Sequence, residues 1–355
     1  MNKWLIKIGC AVLAMSMLCS LTACKEDVSG IDIGMDNIPT IPPVTTTTVM
    51  TTTAPPLLTN PVTGVADMNG STMSRPVGIM VANNDFIQSE QVGIGAADMW
   101  VEMETEGGIT RLMAVFANSE RVPDAIGPVR SARTPFAKVA EALGLGYAHA
   151  GGSYTALSYI ASSDIGDLDV NGGDSGSAYS WRDHDYPHDY EYRLRTNGES
   201  LTRYITDMDY STTPTRDIPW TFGEQMGEVA NKVSVTLSGS QRIGFTYDPA
   251  TKVYTKTNGY SESVHTDSAG RTITPNTVLV LYTDKYWEND TTIDFYMSGG
   301  EGYVFSNGVM RRFDWTRSES GFTMTEKDGS KLSIGEGKVY LCVAATGYSS
   351  DISYQ

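Results

Sequence analysis

Cysteine is almost missing from this chain: its 355 residues contain four, at positions 10, 19, 24 and 342. Three of them fall within the first 24 residues, so Cys342 has no partner left and a disulfide framework is excluded. The fold has to rest on its core. Histidine is equally scarce, with four residues. His184 and His188 stand beside Asp183, Asp185 and Asp189, but Pro187 breaks any helix that would align them and no third histidine is near, which speaks against a metal site. No Gly-x-Ser-x-Gly elbow is present, so Ser131, His149 and His188 do not read as a hydrolase triad. The glycine-rich stretch from Gly172 to Gly176 lacks the lysine of a phosphate-binding loop. Asp167, Asp169, Asn171 and Gly172 copy the opening of a calcium loop, yet Ala178 stands where a bidentate glutamate is required, and a plain turn is the better reading.

Positive charge is short as well, with 26 Lys and Arg against 42 Asp and Glu. Such a surface repels nucleic acid and anionic lipid head groups, so neither is an expected partner of the folded region as a whole. A local basic site would stand out against it.

The amino end carries the firmest signal. Lys3 and Lys7 precede an apolar stretch over residues 8–20, and Leu21-Thr22-Ala23-Cys24 closes it with small residues before a cysteine. The stretch is too short for an ordinary spanning helix and has the layout of a bacterial lipoprotein leader, residues 1–23, with lipid attached to Cys24. The expected location is the outer face of the cytoplasmic membrane. Removing that leader leaves 24 basic against 42 acidic side chains, a net charge of −18. Residues 24–74 are rich in threonine and proline with little apolar period and predict a disordered, extracytoplasmic tether open to O-glycosylation. A flexible chain of about 50 residues spans on the order of 40 Å.

From Arg75 the texture changes to an α+β pattern. Val77 to Val81, Met99 to Met103 and Ile109 to Phe116 read as strands. Thr134 and Pro135 fit the cap and first turn of a helix that stops at Gly144, Gly146 to Ala150 is a further strand, and Ser153 to Ser162 a second helix. Residues 75–200 therefore predict an α/β-type domain with a central mixed sheet, and 201–230 a connection with some helix. After Asn231 the period turns to two, with Asn307-Gly308 and Asp328-Gly329 as hairpin dipeptides, so residues 231–355 predict an antiparallel, β-rich domain. The neighbours of Cys342 read as a buried strand.

Three blocks, Arg75 to Asn84 (RPVGIMVANN), Glu106 to Phe116 (EGGITRLMAVF) and Ile126 to Arg133 (IGPVRSAR), together with Trp181-Arg182 and Pro187-His188, resemble the YerB-like lipoprotein family of Gram-positive bacteria. Asp189 stands where that family usually has asparagine. Tyr254, Asn276, Gly302, Gly308 and Trp315 are similar to its C-terminal domain. The resemblance implies a two-domain envelope lipoprotein and supplies no activity.

Arg130 and Arg133 fall just before the helix predicted at Thr134, where the dipole favours anions, and Arg111 lies on a nearby strand. Three cations there need negative partners. Two readings stay open: internal pairing with Asp98, Glu102, Glu104 or Glu106, or an external phosphate or carboxylate held by guanidinium forks. The order of elements around Ala97-Asp98, the arginines and Tyr147 to Gly152, which includes His149, is similar to that of LytR-CpsA-Psr cell-wall ligases. That likeness implies Arg111, Arg130 and Arg133 as a pyrophosphate grip, Asp98 as ligand of a divalent cation, and a phosphotransferase acting on polyprenyl-pyrophosphate-linked glycopolymer. Trp181, Arg182, His149 and His188 complete the candidates, with Trp181 and nearby tyrosines able to stack sugars. The leading expectation is a non-catalytic module that binds a cell-envelope protein or glycan, with no cofactor motif.

Overall fold

The computed structural model describes residues 57–68, 74–173, 176–258 and 262–355. The leader, Cys24 and the tether up to residue 56 lie outside the described residues. The far end of the expected tether is part of the fold: Val62 and Met68 are buried, Trp220 donates to the Val62 carbonyl, and Gly337 donates to that of Thr63. The apolar side chains at Val62 and Met68 outweigh the proline-rich composition around them.

The first half supplies β1 (Val77–Ala82), β2 (Met99–Glu104), β3 (Thr110–Phe116), β4 (Gly146–His149) and β5 (Gly166–Asp169), with helices α1 (Thr134–Ala142), α2 (Tyr154–Ala161) and α3 (Gly198–Asp207). The second half supplies β6 (Lys232–Thr236), β7 (Arg242–Asp248), β8 (Val253–Asn258), β9 (Thr277–Thr283), β10 (Lys285–Trp287), β11 (Ile293–Phe295), β12 (Gly299–Ser306), β13 (Val309–Ser318), β14 (Gly321–Glu326) and β15 (Val339–Ala345). One mixed sheet runs through both halves in the order β14-β13-β12-β9-β15-β2-β3-β1-β4-β5. The junction is β15 beside β2, in parallel register from Met99 opposite Val339 to Met103 opposite Val343.

The second half is thus not purely antiparallel, since β15 runs parallel to both β9 and β2. Its sequence VYLCVAA is buried at every position, as a strand covered on both faces must be. Cys342 lies there as a buried free thiol, which burial pushes well above its ordinary pKa.

One face of the sheet packs against α1 and α2 through Phe136, Val139, Ala140, Ala156 and Ile160. The other packs against a second sheet that contains β6, β7 and β8, through Val233, Val235, Phe245 and Tyr254, and against Leu201 of α3. Asn307 and Gly308, with φ of 51° and 76°, make the β12–β13 turn that their dipeptide predicts. The cap of α1 is Arg133, one residue before the expected Thr134, whose hydroxyl is engaged elsewhere. Ser153 caps α2 by accepting from the Ala156 amide at 3.2 Å.

Candidate functional site

Strands β1, β2, β4, β5, β9 and β15 all point the same way. Their carboxyl ends form one edge, which the start of α2 reaches from β4 and the start of α1 joins through the bridge between Ala132 and Gly152. In open α/β sheets that edge is where ligands bind.

Arg111 and Arg133 meet there over one carboxylate. Arg133 donates through Nε to Glu106 Oε2 at 2.8 Å and through Nη2 to Glu106 Oε1; Arg111 Nη2 donates to that same Oε1 at 3.2 Å. Arg111 Nη1 also donates to the Ser131 carbonyl at 2.5 Å. Arg130 lies nearby, with Nη1 on the Glu191 carbonyl at 3.0 Å, a long ion pair of 3.5 Å to the Glu191 carboxylate, and its guanidinium 4.9 Å from the centre of the Tyr192 ring. Three cations therefore share two carboxylates, and Glu191 is largely exposed.

The electrostatics register the shortage. Burial, then the charge of Arg133, push the Arg111 guanidinium down to about 9, while Glu106 pulls the other way. It stays protonated at neutral pH, so the unfavourable field persists. Burial alone would raise the Glu106 carboxyl, but the hydrogen bonds from Arg133 and the charge of Arg111 hold it below its ordinary value. Beside these groups the Tyr147 hydroxyl is buried against the backbone N–H of Arg133, and burial pushes its pKa up.

A hairpin of the second half closes the site. Glu288, between β10 and β11, accepts from the Thr134 hydroxyl at 2.7 Å and the Thr155 hydroxyl at 2.5 Å, so its carboxylate sits over the amino ends of both α1 and α2. Lys138 donates to Asp294 at 2.5 Å and fixes the hairpin to α1. Between the hairpin and the loop at Gly107 and Gly108 lies a hollow of about 380 Å³ with Trp287 on its rim. Trp287 and Tyr154, the chain neighbours of Glu288 and Thr155, are 66% and 86% exposed.

Of the residues singled out from sequence, Arg111, Arg130, Arg133 and Glu106 converge. Asp98 does not. It precedes β2, at the opposite end from Arg111, and accepts from the Ala117 amide at 2.9 Å and from Arg121 at 2.8 and 2.9 Å. Its carboxylate is consumed there and is no metal ligand for the arginine cluster. Glu102 also turns away, buried on the face of β2 that meets Tyr340 and Lys256.

His149 is fully buried and ties the ends of β4 and β5 together, with Nε2 2.9 Å from Asp167 Oδ1 and Nδ1 3.0 Å from the Gly151 carbonyl. Asp169 accepts from the Gly151 and Asn171 amides, as a turn residue does. His188 pairs with Glu90 at 2.8 Å and packs 6.2 Å from the Tyr192 ring, beside Arg130. Trp181 and Arg182 pair with Leu194 and Arg195; Arg182 donates to the Gly173 and Tyr190 carbonyls and lies 3.6 Å over the Tyr190 ring, which ties down the loop. Among the described residues no group of three or more His, Cys, Asp or Glu side chains is placed to hold a metal ion. Sequence reading missed Glu288, Glu191 and Trp287; of these only Trp287, an aromatic in a polar turn, leaves a local signal.

Residues 62–211 match the N-terminal domain, and residues 233–341 the C-terminal domain, of a family described as protein of unknown function DUF3048. YerB of Bacillus subtilis (strain 168), provisionally named a lipoprotein, is 25% identical over 307 residues, which cover 83% of this chain and 89% of that protein. The crystal structure of Bacillus subtilis YerB superposes with a TM-score of 0.71 at 25% identity, covering 84% of this chain and 99% of that one. Among the described residues no helix is long and apolar enough to cross a membrane.

Proposed function

Since this chain belongs to the YerB-like family, defined by paired DUF3048 domains, we propose that it is a lipid-anchored extracytoplasmic module that binds an anionic glycan of the cell envelope at the arginine edge. The observation that carries this reading is the sharing of Glu106 by Arg111 and Arg133, with Arg130 loosely paired alongside. A phosphate brought to that edge supplies the missing charge and meets guanidinium forks suited to it. Exposed Trp287 and Tyr154 offer ring faces for sugar units on either side. The alternative, a phosphotransferase on polyprenyl-pyrophosphate-linked glycopolymer, is less supported, because the aspartate it needs is held by Arg121 at the far end of β2.

Melting curves with and without millimolar inorganic pyrophosphate test the reading on the full chain. A ligand at 100 times its dissociation constant adds about 2.7 kcal/mol, so the wild-type transition should rise. Arg133→Ala leaves Glu106 its bond to Arg111 and should cost only about 1 kcal/mol, yet it should abolish the rise. An unshifted wild-type curve would count against the ligand.

The anchor has its own test. Cys24→Ser is expected to move the protein from the membrane to the soluble fraction without changing its melting temperature, because the lipid acts only through the tether. Retention of that variant on membranes after a salt wash would refute the lipid anchor.

A further inference from the structure

The same edge carries a second hollow, at the carboxyl ends of β9 and β15, with a volume of about 490 Å³. Tyr282, Tyr296 and Tyr303 line it together with Asp284, Glu301 and Ser349, and among the described residues no lysine or arginine does. Tyr296 is 59% exposed, and its ring is braced 4.6 Å from that of Tyr286. Tyr303 meets Tyr282 edge to face at 6.0 Å. These rings are fixed before any ligand arrives.

One buried polar group at this wall lacks a partner among the described residues: the Tyr282 hydroxyl. A side chain at Gly300, which lines the hollow, would lie 2.5 Å from the Tyr282 carbonyl, so only glycine lets the two strands approach this closely at the wall. A buried polar group without a partner costs about 1–3 kcal/mol, and native structures keep few of them.

We propose that this hollow is a binding site for a neutral saccharide. The exposed Tyr296 ring covers the apolar face of a pyranose ring, while Asp284 and Ser349 receive its hydroxyls. A phosphorylated or carboxylated ligand would meet Asp284 and Glu301 and no lining cation, since Arg312, 5.2 Å from the centre of the Tyr303 ring, is paired with Glu301. An ammonium ligand would find Glu301 already paired with Arg312 at 3.6 Å and Lys327 at 3.1 Å, which leaves it Asp284 alone among the lining carboxylates. Arg111, Arg130 and Arg133 do not line this hollow, so either site can fail alone.

Calorimetric titration of the full chain with chitotetraose, cellotetraose and maltotetraose tests it. At least one should bind, and inorganic pyrophosphate should not compete. Tyr296→Ala, at an exposed position, should weaken that binding tenfold or more; Tyr282→Phe should weaken it a few-fold without lowering the melting temperature. Failure of all three sugars to bind, or binding that survives Tyr296→Ala intact, overturns the proposal.

Discussion

Lys256→Met is expected to destabilise the protein by about 3–5 kcal/mol, the range for stranding one member of a buried ion pair. Lys256 is fully buried between the two sheets and donates to Asn258 Oδ1 at 2.8 Å and His265 Nδ1 at 3.0 Å, with Glu102 Oε2 at 3.6 Å. Around Glu102 the circuit closes: Asn83 and Thr110 donate to Oε1 at 2.8 and 2.7 Å, and the Tyr340 hydroxyl donates to Oε2. His265 Nε2 donates to Gln91 Oε1 at 2.6 Å, and Gln91 in turn donates to Asn83 Oδ1 at 3.1 Å. Removing the ammonium leaves a carboxylate and an imidazole nitrogen without their cation in a dry interior. Urea melts should therefore show the loss, and the double variant Glu102→Gln with Lys256→Met should recover much of it. A cost below about 1 kcal/mol for the single variant would mean that the pair is not charged.

The network also sets an acid response. Burial, and then the charge of Lys256, hold the His265 imidazole well below its ordinary value of 6.5. In the unfolded chain the ring protonates near 6.5 while in the fold it stays neutral, so the unfolded state binds more protons and stability falls as pH drops below that point. The slope contributed by His265 reaches at most about 1.4 kcal/mol per pH unit, and His265→Gln should remove it.

Much of the fold is legible because it is local. Strands β1, β2 and β3 are short apolar runs bounded by polar turns, and the Thr-Pro start and Gly144 stop bracket α1 to within a residue. What the sequence hides is distance. Nothing near Val339 says that β15 slots beside β2, more than 230 residues away, and converts two expected domains into neighbours within one sheet. The site was half visible for the same reason. Asp98 and Glu106 look equivalent as acids near arginines, but a strand rises about 3.3 Å per residue, which carries Asp98 to the opposite edge. Alternation along β2 then sends Glu102 into the interior, while Glu106, past the strand end, stays with the cations. Glu288 reaches Thr134 across 154 positions, a contact that no local pattern announces.

Glu106→Gln should separate a structural salt bridge from a ligand site, because the two make opposite demands on the same carboxylate. The Glu106 side chain is 29% exposed and Arg111 is buried, so neutralising it should cost about 2–3 kcal/mol, between the ranges for exposed and fully buried pairs. The folded carboxyl is held below 4.5, so its stabilisation is present above that pH and lost as pH falls through the folded value; the variant should lack that part of the acid limb. Without anion, then, the variant melts lower. With pyrophosphate the order of gains reverses, since Glu106 competes with any anion for the same guanidinium donors and its removal frees them. The thermal gain on adding the anion should be larger in Glu106→Gln than in wild type, and should vanish when Arg133→Ala is added. A variant that is destabilised yet gains nothing from pyrophosphate leaves Glu106 as a plain internal counter-ion and removes the ground for an anionic partner at this edge.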